Sequence, residues 1–155
     1  MRRHDREVSE RAKIDEIIES CDCLRLGLKA EDGAYIVPLS FGYAPGEIAK
    51  FYFHSAMEGR KVSMIGDGAK AGFEMDSAHA LGEAELGCKH TYFFRSVIGT
   101  GTVRPVADLE EKKRALTLIM AHYRKDRAFS FTDGQARTVA VFCLTVDQMT
   151  AKEYV

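Results

Sequence analysis

An excess of charge of either sign is missing from this chain: 22 Lys and Arg stand against 23 Asp and Glu in 155 residues, a formal net charge of −1. Non-specific attraction to nucleic acid or to an anionic membrane needs a basic excess, so neither partner is expected. No apolar run approaches the roughly 20 residues of a membrane-spanning helix. The N-terminal MRRHDREVSERAK is charged and lacks the apolar block of a secretory signal, which predicts a cytoplasmic protein. Cysteine is scarce and wrongly spaced for metal or redox work. Cys21 and Cys23 form a CxC, while Cys88 and Cys143 stand far from any partner, so reduced thiols are expected rather than a zinc ribbon or a redox CxxC. His4, His79, His90 and His122 make no ligand spacing with acids or cysteines, and no metal is called for. A Ser–His–Asp order, paired carboxylates, internal repeats and linkers are also absent, which leaves hydrolysis without support and predicts a single domain over 1–155.

What is present is an ordinary globular composition, 46% hydrophobic and 29% charged, at a length that can bury a core without staples. Ser9 is a candidate cap for a first helix carrying Ile14, Ile17 and Ile18 on one face. Strand-like runs follow at Cys23–Lys29, Tyr35–Tyr43 (YIVPLSFGY) and Ile48–His54, separated by the turn signals Glu31–Gly33 and Ala44–Glu47. Pro38 cannot donate to a ladder, which puts its strand at an edge or a bulge. A short helix is predicted over Met57–Ile65, then a strand over Lys70–Asp76, then a small, acidic loop over Ser77–Gly87. His90–Val106 is a long β-branched stretch whose Gly99 and Gly101 point to bending or close backbone approach. Asp108 caps a helix to about Tyr123. A loop over Lys125–Gln135 precedes the last strand, Thr138–Val146. Six strands with peripheral helices give an α+β fold, a small antiparallel barrel, closed or partly closed.

The segment Phe51–Lys61 (FYFHSAMEGRK) has the chemistry of an anion site. A strand ends at His54, Ser55 offers a hydroxyl, Gly59 clears space, and Arg60 and Lys61 put two cations on the first turns of a helix. Free N–H groups at a helix start, with Arg and Lys beside them, are what a phosphate uses. The same spacing also fits a solvated Arg–Lys pair on an exposed face.

These pieces, taken in order, carry a resemblance. Asp5–Glu7, Leu24–Gly27, Tyr35–Tyr43, Phe51–Lys61, Ser96–Gly101 (SVIGTG) and Glu111–Tyr123 resemble the flavin-binding split-barrel proteins related to pyridoxamine 5′-phosphate oxidase, nearly end to end. His54 matches the histidine of the nitroimidazole-resistance-like branch. The resemblance implies a split barrel and bound FMN, with FAD possible. It implies that backbone at Val37, Pro38, Leu39 and Ser40 meets the flavin ring, and that His54, Ser55 and Ala56 meet the ribityl chain and ring. Gly59 stands where the oxidase has a serine, and Arg60 and Lys61 would hold the phosphate. Ser96 and Val97 would reach a flavin from the partner subunit, which implies a homodimer.

The chain also departs from the oxidase. Ser96 replaces a larger polar residue, and no C-terminal Arg and His contacts follow the last strand, so oxidation of pyridoxamine phosphate is not expected. Reduction of a small molecule, such as a nitroimidazole, is the expectation, with His54 as candidate proton donor. A non-catalytic binder of flavin, haem or deazaflavin is the alternative. The absence of a nicotinamide-binding glycine motif does not separate the two.

Overall fold

Along Lys50–Ser55 the side chains serve two cores in turn. Phe51 and Phe53 point to one, Tyr52 to another, and His54 comes out at the surface on the Tyr52 side. That two-residue period puts the barrel interior on one face of the sheet and the helices on the other.

The computed structural model describes residues His4–Val155. Eight strands occur: β1 (Glu7–Val8), β2 (Leu24–Ala30), β3 (Gly33–Leu39), β4 (Gly42–Ala44), β5 (Lys50–Ser55), β6 (Ala69–Gly82), β7 (Thr91–Pro105) and β8 (Ala140–Tyr154). The helices are α1 (Arg11–Ser20), α2 (Arg60–Ile65), α3 (Leu109–Tyr123) and α4 (Asp133–Arg137). All eight strands form one antiparallel sheet in the order β3-β2-β6-β7-β8-β5-β4, with β1 added to the far end of β8. No helix among the described residues is long and apolar enough to cross a membrane.

The fold is α+β and antiparallel, as the sequence predicts, and its sheet is split rather than closed. Its two ends, β3 and β4, are consecutive in the chain and separated only by Ser40 and Phe41. Three Cα steps span at most about 11 Å, so the sheet must curl until its edges nearly meet. Phe41 is fully buried at this junction. The Tyr123 hydroxyl fastens it, accepting from the Phe41 N–H at 3.1 Å and donating to the Asp22 carbonyl at 2.8 Å. Pro38 lies on an edge strand, paired only on the Arg25 side.

Inside the curl, Leu24, Leu26, Phe51, Phe53, Phe73, Met75, Val97 and Leu144 form the main core. A second core lies outside β5 and β8, where Tyr52 and Val141 meet Ala115, Leu116 and Ile119 of α3 and Ala136 of α4. The Asp108 cap is as expected, its carboxylate accepting from the Glu111 N–H at 2.8 Å. Gly99 and Gly101 are sites of close approach. A Cβ on Gly99 would stand 2.4 Å from the Gln148 carbonyl oxygen and 2.5 Å from the Phe73 ring, and the β7–β8 register shifts between Thr100 and Gly101.

Several boundaries differ from the sequence reading. Among the described residues there are eight strands, not six, because β1 has only two residues and the Tyr35–Tyr43 run breaks into β3 and β4 at the split. Ser77–Gly82 is strand rather than loop. It pairs with Thr91–Arg95 of β7 across a bulge at Ala78 (φ 56°), and cross-strand pairing outweighs its weak local preference. The first helix is capped at Glu10, not Ser9, and no side chain bonds its N-terminus. The loop before the last strand ends in α4, opened by a Thr132–Gln135 capping box. That last strand runs on to Tyr154 because β7 and β1 supply partners beyond Val146.

Gly99→Ala is expected to destabilise the fold by about 1–3 kcal/mol, as overpacking does. A shift of the urea midpoint with unchanged slope is the check, and an unshifted midpoint would mean that Phe73 and β8 yield freely.

Candidate functional site

The split places two stretches of backbone beside each other. Gly42 pairs with Tyr52, so the Ser40–Phe41 link leaves the sheet at the His54 end of β5. Leu39 and Ser40 therefore flank the same gap as His54, Ser55 and Ala56. Pro38 and Ser40 are exposed, while Val37 and Leu39 pack inward on the main core. The Ser55 hydroxyl donates to the Ala56 carbonyl at 2.7 Å.

Beyond Ala56 the chain turns at Gly59 into α2. A Cβ on Gly59 would meet nothing within 4 Å, so the glycine is needed for its φ of 133° and not to clear space as the sequence reading has it. The helix consequently starts at Arg60 rather than Met57. The two cations then diverge. The Lys61 ammonium lies 5.7 Å from the Phe53 ring centroid, on the His54 side. Arg60 turns to the β2–β3 hairpin, with its Cζ 4.7 Å from the Tyr35 ring centroid and Nη2 3.5 Å from Asp32 Oδ1. Tyr35 and Asp32 were not singled out in the sequence, where no local spacing links them to Arg60.

Electrostatics set Lys61 and His54 apart from the other charged groups. Lys61 is half-buried, and among the described residues no acid comes within ion-pair distance of it. Burial alone lowers its pKa. His54 is lowered as well, first by burial and then by the charge of Lys61. Two basic groups thus repel each other with no described acid paired to either, and a bound anion would relieve both. Several other cations are matched by acids. Arg25 pairs with Asp76 at 2.6 Å and Glu74 at 3.0 Å, as its strand position suggests, and Lys113 pairs with Asp133 at 2.8 Å.

Ser96 and Val97 lie elsewhere in the same chain. Phe53 aligns with Phe142, and Phe142 with Pro105, which puts His54 near the C-terminal end of β7. Ser96 is nine residues back along β7, roughly 30 Å of strand. Its neighbours are Asp76 and Lys152, and Val97 is fully buried in the main core, so only Val97 backbone could meet a ligand. The four cysteines are free, and burial pushes the Cys21 thiol up to about 11. His122 is not a surface histidine. Its side chain is 3% exposed, its Nε2 donates to the Cys21 carbonyl at 2.7 Å, and its ring lies against Phe41. No cluster of metal-ligating side chains occurs among the described residues.

With this geometry, comparison with known proteins is informative. The family model described as pyridoxamine 5′-phosphate oxidase matches residues 10–153, and the chain belongs to that family. Among solved structures, a candidate 5-nitroimidazole antibiotic resistance protein from Bacteroides thetaiotaomicron is 33% identical, with a TM-score of 0.80 over 94% of this chain and 85% of that one. The FAD and heme binding protein from Mycobacterium smegmatis (15% identity, TM-score 0.79, 96% and 73% covered) shares the fold. So does the flavocytochrome Anf3 from Azotobacter vinelandii (16%, 0.79, 100% and 72%). Among curated proteins, none is similar enough to count as a match.

Because the folded pKa of His54 lies below its ordinary value, its contribution to stability is complete above about pH 6.5 and is lost as the pH falls through the lowered pKa. Lys61→Ala is expected to move the His54 titration upward, read by NMR on the imidazole resonances. An unmoved titration would show that the two groups do not interact.

Proposed function

We propose that this chain binds a flavin nucleotide by its phosphate and acts as a flavin-dependent reductase of small molecules, nitroaromatics among them. The observation that carries the reading is Lys61, half-buried beside His54 with no described acid to neutralise it. A phosphate dianion supplies the missing charge, and the Ser40 and Ser55–Ala56 backbone at the split lies within reach of the rest of a flavin. Support for the reductase class comes from the family and from the 33% identity to the Bacteroides protein. The flavin supplies redox chemistry, taking up electrons or hydride and passing them to an acceptor.

The protein's own tasks are holding and protonation. Lys61 holds the phosphate as a point charge, with Arg60 one helix position away. In the free chain His54 is neutral at pH 7, because its pKa is lowered, and a neutral imidazole offers one N–H and one acceptor nitrogen to a substrate gaining electrons. In this reading the site spans two subunits. The distance between Ser96 and His54 in one chain supports that, as does the exposed Ile98 (53%), two residues along β7 from Ser96 on the outer sheet face. A homodimer would cover that face and bring Ser96 to a partner's flavin.

The purified protein, or its apo form given FMN, should show flavin absorption bands. A colourless protein that takes up no flavin sinks the reading, and a Soret band would favour haem instead. Lys61→Ala should weaken FMN binding about tenfold or more, the scale of a lost charge-assisted hydrogen bond. Nitroaromatics should speed reoxidation of the reduced protein beyond the rate with oxygen alone, and an equal rate removes the reductase assignment. Ile98→Glu should give monomers by light scattering with weakened FMN binding. Monomers that bind FMN normally would make the site a one-chain site.

A further inference from the structure

Three cations follow one another on α3, and the fold treats them differently. The Lys112 ammonium donates to the Val139 carbonyl at 3.4 Å. Lys113 lies between two acids, Glu110 at 2.5 Å and Asp133 at 2.8 Å. Arg114 has no ion-pair or hydrogen-bond partner among the described residues. It stands instead at a cavity of about 450 Å³, between α3 and the loop that leads into α4. That size falls within the roughly 300–1,000 Å³ of small-ligand clefts. None of the residues around His54 and Lys61 lines it.

Helical spacing builds one wall. Arg114, Thr117 and Leu118 stand three and four positions apart, so their side chains share a face of α3. Ser130 and Phe131 form the other wall, and it is held on both sides. The Thr117 hydroxyl, which donates to the Lys113 carbonyl at 3.0 Å, has the Phe129 carbonyl at 3.4 Å. The capping box of Thr132 and Gln135 begins one residue after Phe131. Leu118 and Phe131 also pack against the second core, so the apolar part of the cavity is preformed.

An apolar interior thus meets one cation without an acid of its own. The Ser130 hydroxyl has no partner among the described residues and can donate beside it. The Glu110 carboxylate stands at the same opening, and Lys113 is already neutralised, so a phosphate dianion is poorly matched. A single carboxylate suits better, because a guanidinium can fork onto its two oxygens. A flat ring against Phe131 gains more than its buried area alone supplies.

We propose that this cavity binds an aromatic monocarboxylate, its carboxylate on Arg114 and Ser130 and its ring against Phe131 and Leu118. The site is separate from the flavin site and does not rest on it.

The test titrates the full chain with naphthoate and follows backbone amide shifts by NMR, with and without FMN. Saturable shifts centred on Thr117, Ser130 and Phe131 are expected, the same in both cases. Neutral naphthamide should bind about tenfold more weakly. Arg114→Gln changes an exposed side chain and leaves the core untouched. It should weaken naphthoate about tenfold while naphthamide stays within about twofold. Octanoate, an acid without a ring, should bind about threefold more weakly or worse. No saturable shift up to about 5 mM, equal affinity for acid and amide, or an unaffected Arg114→Gln overturns the site. Shifts centred on His54 and Lys61 that FMN abolishes overturn it as well, and octanoate binding as tightly as naphthoate overturns its aromatic character.

Discussion

Chain continuity across the split is the constraint on which the rest depends. Two residues, Ser40 and Phe41, join the opposite ends of the sheet path, and that short tether obliges the sheet to curl. Curling gives the apolar faces of β2, β5, β6 and β7 a common interior, where Phe51 meets Phe41 and Phe73 at centroid distances of 5.8 and 5.2 Å. It also leaves one seam without ladder bonds. The Tyr123 hydroxyl and the Phe41 side chain hold that seam from the α3 side, so α3, the segment leading into β2 and the junction are one unit.

The candidate site sits where this constraint leaves backbone unpaired. Strand ends at a seam keep free carbonyl and N–H groups within reach of each other, which a rigid cofactor can use without breaking the sheet. The fold adds a local electrostatic imbalance. Lys61 follows the turn at Gly59 and lies over Phe53, with no described acid at ion-pair distance. Half-burying a charged lysine beside a histidine without an anion costs stability. This is the familiar exchange of fold stability for a prepared site.

Much of this was legible in the sequence, and what was not has physical reasons. The strand alternation, the edge position of Pro38, the Asp108 cap and the crowded Gly99–Gly101 stretch were all visible, because each is written in local spacing. The break inside YIVPLSFGY was not, since β3 and β4 part company only through their partners, β2 and β5. Strand at Ser77–Gly82 likewise depends on Thr91–Arg95, far along the chain. In the candidate site, the cations of α2 could be named but not aimed. That Lys61 meets His54 while Arg60 meets Tyr35 and Asp32 follows from α2 lying across the barrel end, which no window of sequence encodes.

The split has one more consequence. An opened barrel exposes two strand edges, and free edges invite further strands from other molecules. Here neither edge is a usable template. On β3 the outer row is interrupted by Pro38, which has no N–H to offer an incoming strand, and on β4 the row is only three residues long. Short edges and edge prolines are the devices by which β proteins resist aggregation. The proline beside the seam thus helps close it to another chain's backbone.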